Sequence, residues 1–355
     1  MSAKPRSRRL ELVESIAQGA ILLDEDGDVL AVNATARDLL GLESDARLRK
    51  AADVLVLPVL ADAVEEVTDA GEAVSLDTDH LGARLRVSVS MIRDEVLLLI
   101  TDRTSEYRVD QLRRDFVANT SHELKTPVAS IQALAEALAI VVEDQPERLP
   151  DLIRRLNKEA GRLSALVHDL LDLRRLEESG PTQRAPLDLA ELVRRVVAAQ
   201  YDRAERHEVE LTVDAPAEVV IAGNRDDIEL IVANLLANAI TYNEPGGSVC
   251  IEVEPDVPRD GHDGAGAVDG VEVAVIDTGI GLPEAEIDRI FERFYRVDTA
   301  RSRTTGGTGL GLSIVRHAVE QHEGGIEVES SPGDGTRFTV WLPRDGATPP
   351  TLGRS

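Results

Sequence analysis

The chain has 355 residues, 43% hydrophobic and 29% charged, so it can bury the cores of two or three domains and is not disordered throughout. Its 65 acidic residues against 39 Lys and Arg leave a net charge of −26, which argues against a protein that wraps nucleic acid, and 3% aromatic content removes most stacking platforms for single strands. A single cysteine, Cys250, excludes an internal disulfide framework and a Cys-cluster zinc site, and fits a reducing compartment.

Residues 10–104 read as a small α/β module. Ala20–Leu23 and Val29–Val32 are short apolar strands joined by Glu25-Asp-Gly-Asp28, a hairpin signal. Ala34–Leu40 favours a helix that ends at Gly41, the usual C-cap residue. Arg84–Met91 alternates in the strand manner, and Glu95–Thr101 is a β-rich apolar run. This order of strands, helix and strands, with Ile21–Asn33 and the exit Asp102-Arg-Thr104, resembles a PAS sensor domain. The module contains no Phe, Tyr, Trp or Cys, which excludes a flavin-adduct cysteine, and its one histidine, His80, reads as a satisfied or solvated loop residue.

From residue 105 to 178 the pattern is helical, broken once at Glu143–Pro150. Ile153, Leu156, Ala160, Leu163, Val167 and Leu170 recur at spacings of three and four, a coiled-coil seam. Two long helices with one short connection make an antiparallel hairpin, and two hairpins would bury their seams in a dimeric four-helix bundle. A homodimer is the expectation. Ser179–Pro186 reads as a linker, residues 187–343 as an α/β domain with a mobile Gly/Asp-rich hairpin tip within Asp256–Gly270, and residues 344–355 as a disordered tail. No run reaches the roughly 18 apolar residues of a membrane span; Leu134–Val142 is interrupted by Glu136, and Met1–Arg9 lacks the apolar core of a signal peptide. A soluble cytoplasmic chain follows from these readings.

The first long helix carries Phe116-Val-Ala-Asn-Thr-Ser-His122-Glu-Leu-Lys-Thr126-Pro127. On a wheel of about 100° per residue, Leu124, Ile131, Leu134 and Leu138 fall within about 80° of Phe116 and define a core face. His122 then points away from that face, with Thr126 one turn along on its own side. An exposed imidazole beside a carboxylate suits attack on a phosphoryl group, because Glu123 can hold the ring tautomer and draw off a proton. A lone surface histidine is more often solvated filler, but filler does not explain Pro127 set inside a long helix, where it removes a hydrogen bond to the Glu123 carbonyl and favours a kink.

Further on, Asn234 and Asn238 lie four apart on one helix face, where amide oxygens could bind Mg²⁺ or simply serve as buried polar groups. Val275-Ile-Asp277-Thr-Gly279-Ile-Gly281 is an apolar strand running into an acid and two glycines, and Asp277 could accept from an adenine amine. The same Asp-Thr-Gly triplet occurs in aspartic proteases. Ile290–Arg296 follows, then Gly306-Gly307-Thr308-Gly309-Leu310-Gly311 leading into an apolar helix, Leu312–Val319, a phosphate cradle by backbone N–H groups and helix dipole. No Gly-Lys-Ser/Thr follows, so this is not a Walker A loop.

Ser121-His-Glu-Leu-Lys-Thr-Pro127 matches the H-box of bacterial sensor histidine kinases at every position, and the four later blocks resemble the N, G1, F and G2 boxes of their GHKL-type ATPase domain. Within that family the chain resembles the phosphate-regulon sensor kinase branch. The resemblance spans roughly residues 105–343. It implies a PAS module, a helical hairpin and an α/β sandwich ATP-binding domain. It also implies ATP and Mg²⁺ as cofactors, a response regulator receiver domain as partner, and no direct nucleic acid binding. By the same resemblance His122 is the phosphoacceptor, Glu123 its acid/base partner, and Thr126 orients water for dephosphorylating the regulator. Asn238 binds Mg²⁺ with Asn234 nearby, Tyr242 packs on adenine, Asp277 reads the adenine amine beside Gly279 and Gly281, and Arg296 reaches the terminal phosphates. Gly307, Thr308, Gly309, Leu310, Gly311 and Thr336 complete the nucleotide site.

One departure stands out: the family usually has Lys or Arg before the adenine-packing Tyr, and this chain has Thr241, a loss that Arg301 and Arg303 could offset. A non-phosphorylating ATPase of the same fold, or a scaffold with degenerate kinase activity, stays open at this point. The acid is uneven: residues 201–300 hold 23 acidic and 7 basic side chains and residues 11–104 hold 20 and 8, whereas 105–180 hold 14 and 11. The nearly neutral hairpin is therefore the surface expected to meet an acidic receiver.

Overall fold

The computed structural model describes residues 11–43, 48–178, 183–259, 268–297 and 307–344. The chain divides into two compact units, Met1–Ala118 and Asn119–Ser355.

In the first unit, β1 (Gly19–Leu23) and β2 (Val29–Val32) form the expected hairpin, Ile21 opposite Val32. Asp24 closes its turn by accepting from the N–H groups of Asp26 and Asp28, and Gly27 takes a φ of 73° that few other residues hold comfortably. Helices α1 (Ala34–Leu40), α2 (Ala51–Val54) and α3 (Pro58–Ala70) come next, then β3 (Val74–His80), β4 (Ala83–Ile92) and β5 (Glu95–Asp102). The sheet is antiparallel in the order β2-β1-β5-β4-β3. Both faces of β1 are covered, which is why its sequence is uninterruptedly apolar: Ile21 and Leu23 join a core with Leu60, Leu85 and Ile100, while Ala20 and Leu22 pack with Val13. Asn33 caps α1 from inside this core. His80 corrects the loop expectation: it ends strand β3, and its Nε2 lies 3.1 Å from the Leu40 carbonyl, a satisfied position.

Helix α4 (Thr104–Asp144) is followed by a 3₁₀ turn, Pro146–Arg148, and by α5 (Leu149–Glu178). The break falls where Pro146 and Pro150 place it. The residues of α5 buried within the chain are Leu152, Leu166, Leu173 and Leu176. The seam expected from spacing is only partly covered within the chain: Leu156, Leu163 and Leu170 are half-buried, whereas Ile153 and Val167 are 47% and 41% exposed and Ala160 is exposed as well. A helix with two apolar stripes can use only one of them inside a single chain. One stretch of α4 meets a coarser test of length and composition. Arg114–Val142 is long and apolar enough by length and composition to cross a membrane, with a mean hydropathy of 1.3, and 6% of that window is buried in the chain. Counting contiguous apolar residues passes over it because Ser121–Lys125, Ser130, Gln132 and Glu136 interrupt the run.

The rest of the second unit is β6 (Ala185–Asp188), α6 (Leu189–Arg206), β7 (Glu210–Asp214), β8 (Val220–Gly223), α7 (Arg225–Thr241), β9 (Ser248–Glu254), β10 (Gly270–Asp277), α8 (Gly311–Gln321), β11 (Gly325–Ser331) and β12 (Gly335–Pro343). The end of the expected linker is thus a strand, since Ala185 and Pro186 pair with Gly223 and Ala222 of β8. The tip of the Gly/Asp-rich hairpin, Arg301 and Arg303 of the lid, and the tail from 345 lie outside the described residues. A five-stranded sheet in the order β11-β12-β10-β9-β7 is parallel only between β7 and β9. Helices α6, α7 and α8 pack together and bury Val193, Val197, Ile231, Leu235 and Ile314.

Candidate active site

The nucleotide-type elements converge where β10 ends. Asp277, 8% exposed, is the last residue of that strand and pairs in register with Thr336 of β12. Its Oδ1 accepts from the Gly279 N–H at 2.8 Å. Burial pushes its carboxyl pKa up, against the lowering effect of backbone hydrogen bonds from Gly279 and Thr336. The glycines around it leave no room for a side chain. A methyl at Gly281, where φ is 65°, would lie 1.9 Å from the Ser331 carbonyl oxygen, and one at Gly335 would lie 1.9 Å from that of Asp277.

Helix α7 starts from Asn224, whose side chain accepts from the N–H groups of Asp226 and Asp227. Its core face, Ile228, Ile231, Leu235 and Ala239, leaves Asn234 and Asn238 half-exposed on the opposite side. Asn234 donates to the Leu230 carbonyl at 3.0 Å, and its Oδ1 would stand 2.6 Å from a methyl placed on Gly311. Amide oxygen thereby faces the first turn of α8. Tyr242 caps α7; its carbonyl accepts from Ile280 N–H, and its hydroxyl would lie 3.2 Å from a methyl on Gly307. So Tyr242 touches the Asp277 turn with its backbone and the glycine segment with its phenol. Within that segment the Gly309 carbonyl (φ 75°) accepts from Phe294 N–H at 2.8 Å, and the Thr308 hydroxyl accepts from Leu310 N–H at 3.3 Å. Among the described residues no group of three or more His, Cys, Asp or Glu could hold a metal ion. The hard amide oxygens of Asn234 and Asn238 fit Mg²⁺ that keeps most of its waters and leans on phosphate.

On α4, His122 is exposed and Thr126 donates its hydroxyl to the His122 carbonyl at 3.1 Å, while the helix continues through Pro127. Glu123 is paired across the hairpin with Arg162, 3.2 Å away. His122, Asn119 and Glu123 form one wall of a cleft of about 320 Å³ whose other wall is Glu292, Arg293, Phe294 and Tyr295. Because Phe294 is hydrogen-bonded to Gly309, this cleft adjoins the glycine segment. Arg296, half-buried, follows directly in the chain.

Sequence reasoning missed the groups that join α5 to these elements. Asp169 accepts from the Thr308 hydroxyl at 2.5 Å, Glu177 pairs with Arg293 at 2.5 Å, and Arg175 pairs with the buried Asp227 at 3.0 Å. Burial raises the pKa of Asp169 and of Asp227; the bond to Thr308 and the Arg175 charge respectively oppose it. It also missed Arg203 of α6, which donates to the Thr241 hydroxyl at 2.8 Å. Arg203 lies on the buried stripe that includes Val193, Val196 and Val197, a position where periodicity calls for an apolar residue. An unexpected polar residue on such a stripe was the available signal.

Two family models match: residues 112–179 match the His Kinase A (phospho-acceptor) domain, and residues 223–346 match the histidine kinase-, DNA gyrase B- and HSP90-like ATPase. The sensor-like histidine kinase SenX3 of Mycolicibacterium smegmatis is 36% identical over 301 residues, 79% of this chain and 73% of the relative. SenX3 of Mycobacterium tuberculosis is 34% identical over 94% of this chain and 79% of its own length. The phosphate regulon sensor protein PhoR of Pseudomonas aeruginosa is 32% identical over 93% and 72%. Among solved structures, histidine kinase ThkA in complex with response regulator protein TrrA shares the fold over 94% of this chain and 98% of that chain, with a TM-score of 0.51 and 22% identity.

Proposed function

The chain belongs to the two-component sensor histidine kinases, in the branch of the phosphate-regulon sensors, and on that footing we propose that it phosphorylates its own His122 from Mg-ATP. As a protein-histidine kinase it takes ATP as substrate; the acceptor and the binding residues are our assignment. The observation that carries it is the cleft in which exposed His122 faces the segment hydrogen-bonded to the glycine run.

One ring nitrogen of His122 attacks the γ-phosphorus, the N–P bond forms as the bond to the bridging oxygen breaks, and ADP leaves with that electron pair. The ring proton passes by way of Glu123 to solvent, with Arg162 fixing the carboxylate's position. The protein's share is mainly positioning and charge. Asp277 accepts from the adenine amine, Tyr242 packs on the ring, and Gly279 and Gly281 admit the base. Gly307, Thr308, Gly309, Leu310 and Gly311 cradle the phosphates, Thr336 holds the Asp277 end of the sheet, and Arg296 reaches the terminal phosphates. Asn238 and Asn234 would hold Mg²⁺, which supplies neutralisation of phosphate charge. Arg203, brought to Thr241 from α6, supplies a cation where the family usually has one in the following helix.

The phosphoryl group then passes to an aspartate on the receiver domain of a response regulator, the class of partner in the ThkA complex. Thr126, turned from the His122 carbonyl, orients water for the reverse control, dephosphorylation of that regulator. The nearly neutral hairpin supports receiver docking there. The outward stripe of Ile153 and Val167 and the exposed apolar window of α4 support a homodimeric four-helix bundle, and the phospho-acceptor match over the same residues supports this use of the window over a membrane span. Residues 10–104 act as a PAS-type sensor, a reading supported by the five-stranded antiparallel sheet with three helices between its second and third strands. Residues 105–178 are the phosphotransfer hairpin and 187–343 the ATPase domain, working in the cytoplasm where ATP is available.

Incubation with γ-labelled Mg-ATP tests the reading. Acid-labile, base-stable label that His122→Gln abolishes is the expected result; ATP binding without label, or label retained in the variant, overturns it.

A further inference from the structure

The cleft beside His122 has an electrostatic problem. A phosphoryl group on the imidazole brings close to two negative charges and several strong acceptor oxygens. The cleft already holds the carboxylates of Glu123 and Glu292, and the one Lys or Arg among its lining residues is Arg293. Each of the other charges has its own partner: Glu123 pairs with Arg162 at 3.2 Å, and Glu292 lies 3.7 Å from Arg289. Arg293 itself is bound to Glu177 of α5 at 2.5 Å, with both side chains 38% exposed. That pair is not buried, and exposed pairs of this kind contribute little. A guanidinium presents a planar fork that matches phosphoryl oxygens two at a time, and a phosphoryl dianion is a stronger acceptor than a single carboxylate.

We propose that Arg293 exchanges Glu177 for the phosphoryl group as it moves onto His122, so that it is a catalytic residue of autophosphorylation. This rests on the reading of His122 as acceptor. The bonds made and broken are those already described: N–P forms, P–O to ADP breaks, and the ring proton leaves by Glu123. Arg293 donates hydrogen bonds to the equatorial oxygens of the transferring group and undergoes no covalent change. Glu177 is then the ground-state holder of the cation. It competes with the phosphoryl group, which sets the direction of its own substitution.

The test compares Arg293→Gln, Arg293→Lys, Glu177→Gln and His122→Gln in the full chain, by initial rates of label incorporation from γ-labelled Mg-ATP and by calorimetric binding of ATP. Arg293→Gln is expected to lower kcat at least tenfold with KM for ATP and calorimetric affinity within twofold of wild type. Arg293→Lys should recover part of that loss, and Glu177→Gln should match or exceed the wild-type rate. If Glu177→Gln loses as much activity as Arg293→Gln, the ion pair matters only as a strut and the proposal is overturned. A loss confined to KM in Arg293→Gln overturns it equally. Label that persists in His122→Gln, or no label in wild type, condemns the acceptor assignment itself, so the two failures are told apart.

Discussion

Two asparagine environments separate the halves of this molecule. Asn33, 1% exposed in the first unit, spends its whole side chain internally: Oδ1 accepts from the N–H groups of Ala20 and Ala36, each at 2.9 Å, and Nδ2 donates to the carbonyls of Gln18 at 2.7 Å and Ile16 at 3.0 Å. Asn234 in the second unit spends only its N–H on Leu230 and keeps its oxygen turned toward the first turn of α8. The same amide is mortar in one place and a half-exposed group with its oxygen turned to a glycine in the other. What differs is the surrounding backbone: in the first unit a strand end, a helix cap and an N-terminal segment close over the side chain, whereas in the second two helices and a glycine segment leave one side open.

Removing the mortar should have the largest effect. Asn33→Ala strands several buried backbone groups, each costing on the order of 1–3 kcal/mol, so the first unit should lose about 3–4 kcal/mol of stability. Hydrogen exchange on the full chain would register it as lost protection in β1, β5 and α1. Equal protection in mutant and wild type would erase the contrast. Asn238→Ala should do the opposite, weakening Mg-ATP binding roughly 100-fold while shifting unfolding by less than about 0.5 kcal/mol. Titration calorimetry and denaturant melts on one preparation would show both.

Arg203→Gln sharpens the comparison within the nucleotide domain. If a cation from α6 stands in for the basic residue missing at 241, ATP affinity should fall about tenfold, and adding Thr241→Lys should restore it. Failure of that rescue would make Arg203 a packing residue. The smallest effect expected is a pH dependence at His322. This ring, 2% exposed, lies with Nδ1 2.8 Å from the Ala318 carbonyl and accepts at Nε2 from Asn224 N–H, the residue that caps α7. Burial lowers its pKa, against the raising effects of the Ala318 bond and the Asp227 charge. The unfolded chain therefore takes up the proton first as pH falls below about 6.5, and native stability drops with it. Wild type should lose stability between pH 7 and 5.5 by this route, a slope that His322→Gln removes in parallel melts.

Much of the fold was legible because its signals are local. β2 and α1 coincide with the readings from apolar run, hairpin turn and Gly41 cap, Asn234 and Asn238 do lie on a helix, and β10 ends at Asp277 as its apolar run implies. Strand β3 was not, because Val74 and Leu76 alternate with Ser, Asp and Thr at the sheet edge and never form an apolar run. Helix α3 carries Pro58 at its first turn and Gly71 in a left-handed cap, local punctuation that a search for apolar runs passes over. In the candidate site the exposure of His122, the shared face of Asn234 and Asn238, and the strand-end position of Asp277 follow from period and motif. Arg162, Asp169, Glu177 and Arg203 do not. Their partners are 38 to 139 positions away, and only the tertiary register of α5 and α6 chooses them.

Asp169, Arg175 and Glu177 stand on one helix within eight residues, a rise of about 12 Å. Each engages a different part of the nucleotide domain: the glycine segment, the start of α7 and the base of the lid. A helix behaves here as a keyed shaft. Axial rotation by the pitch of a single residue, about 100°, would withdraw all three keys at once, because no rigid turn of the shaft moves one tooth without the others. Three separate parts of the nucleotide domain are thus referenced to one rigid rod, and any axial turn of α5 is felt at all three contacts together.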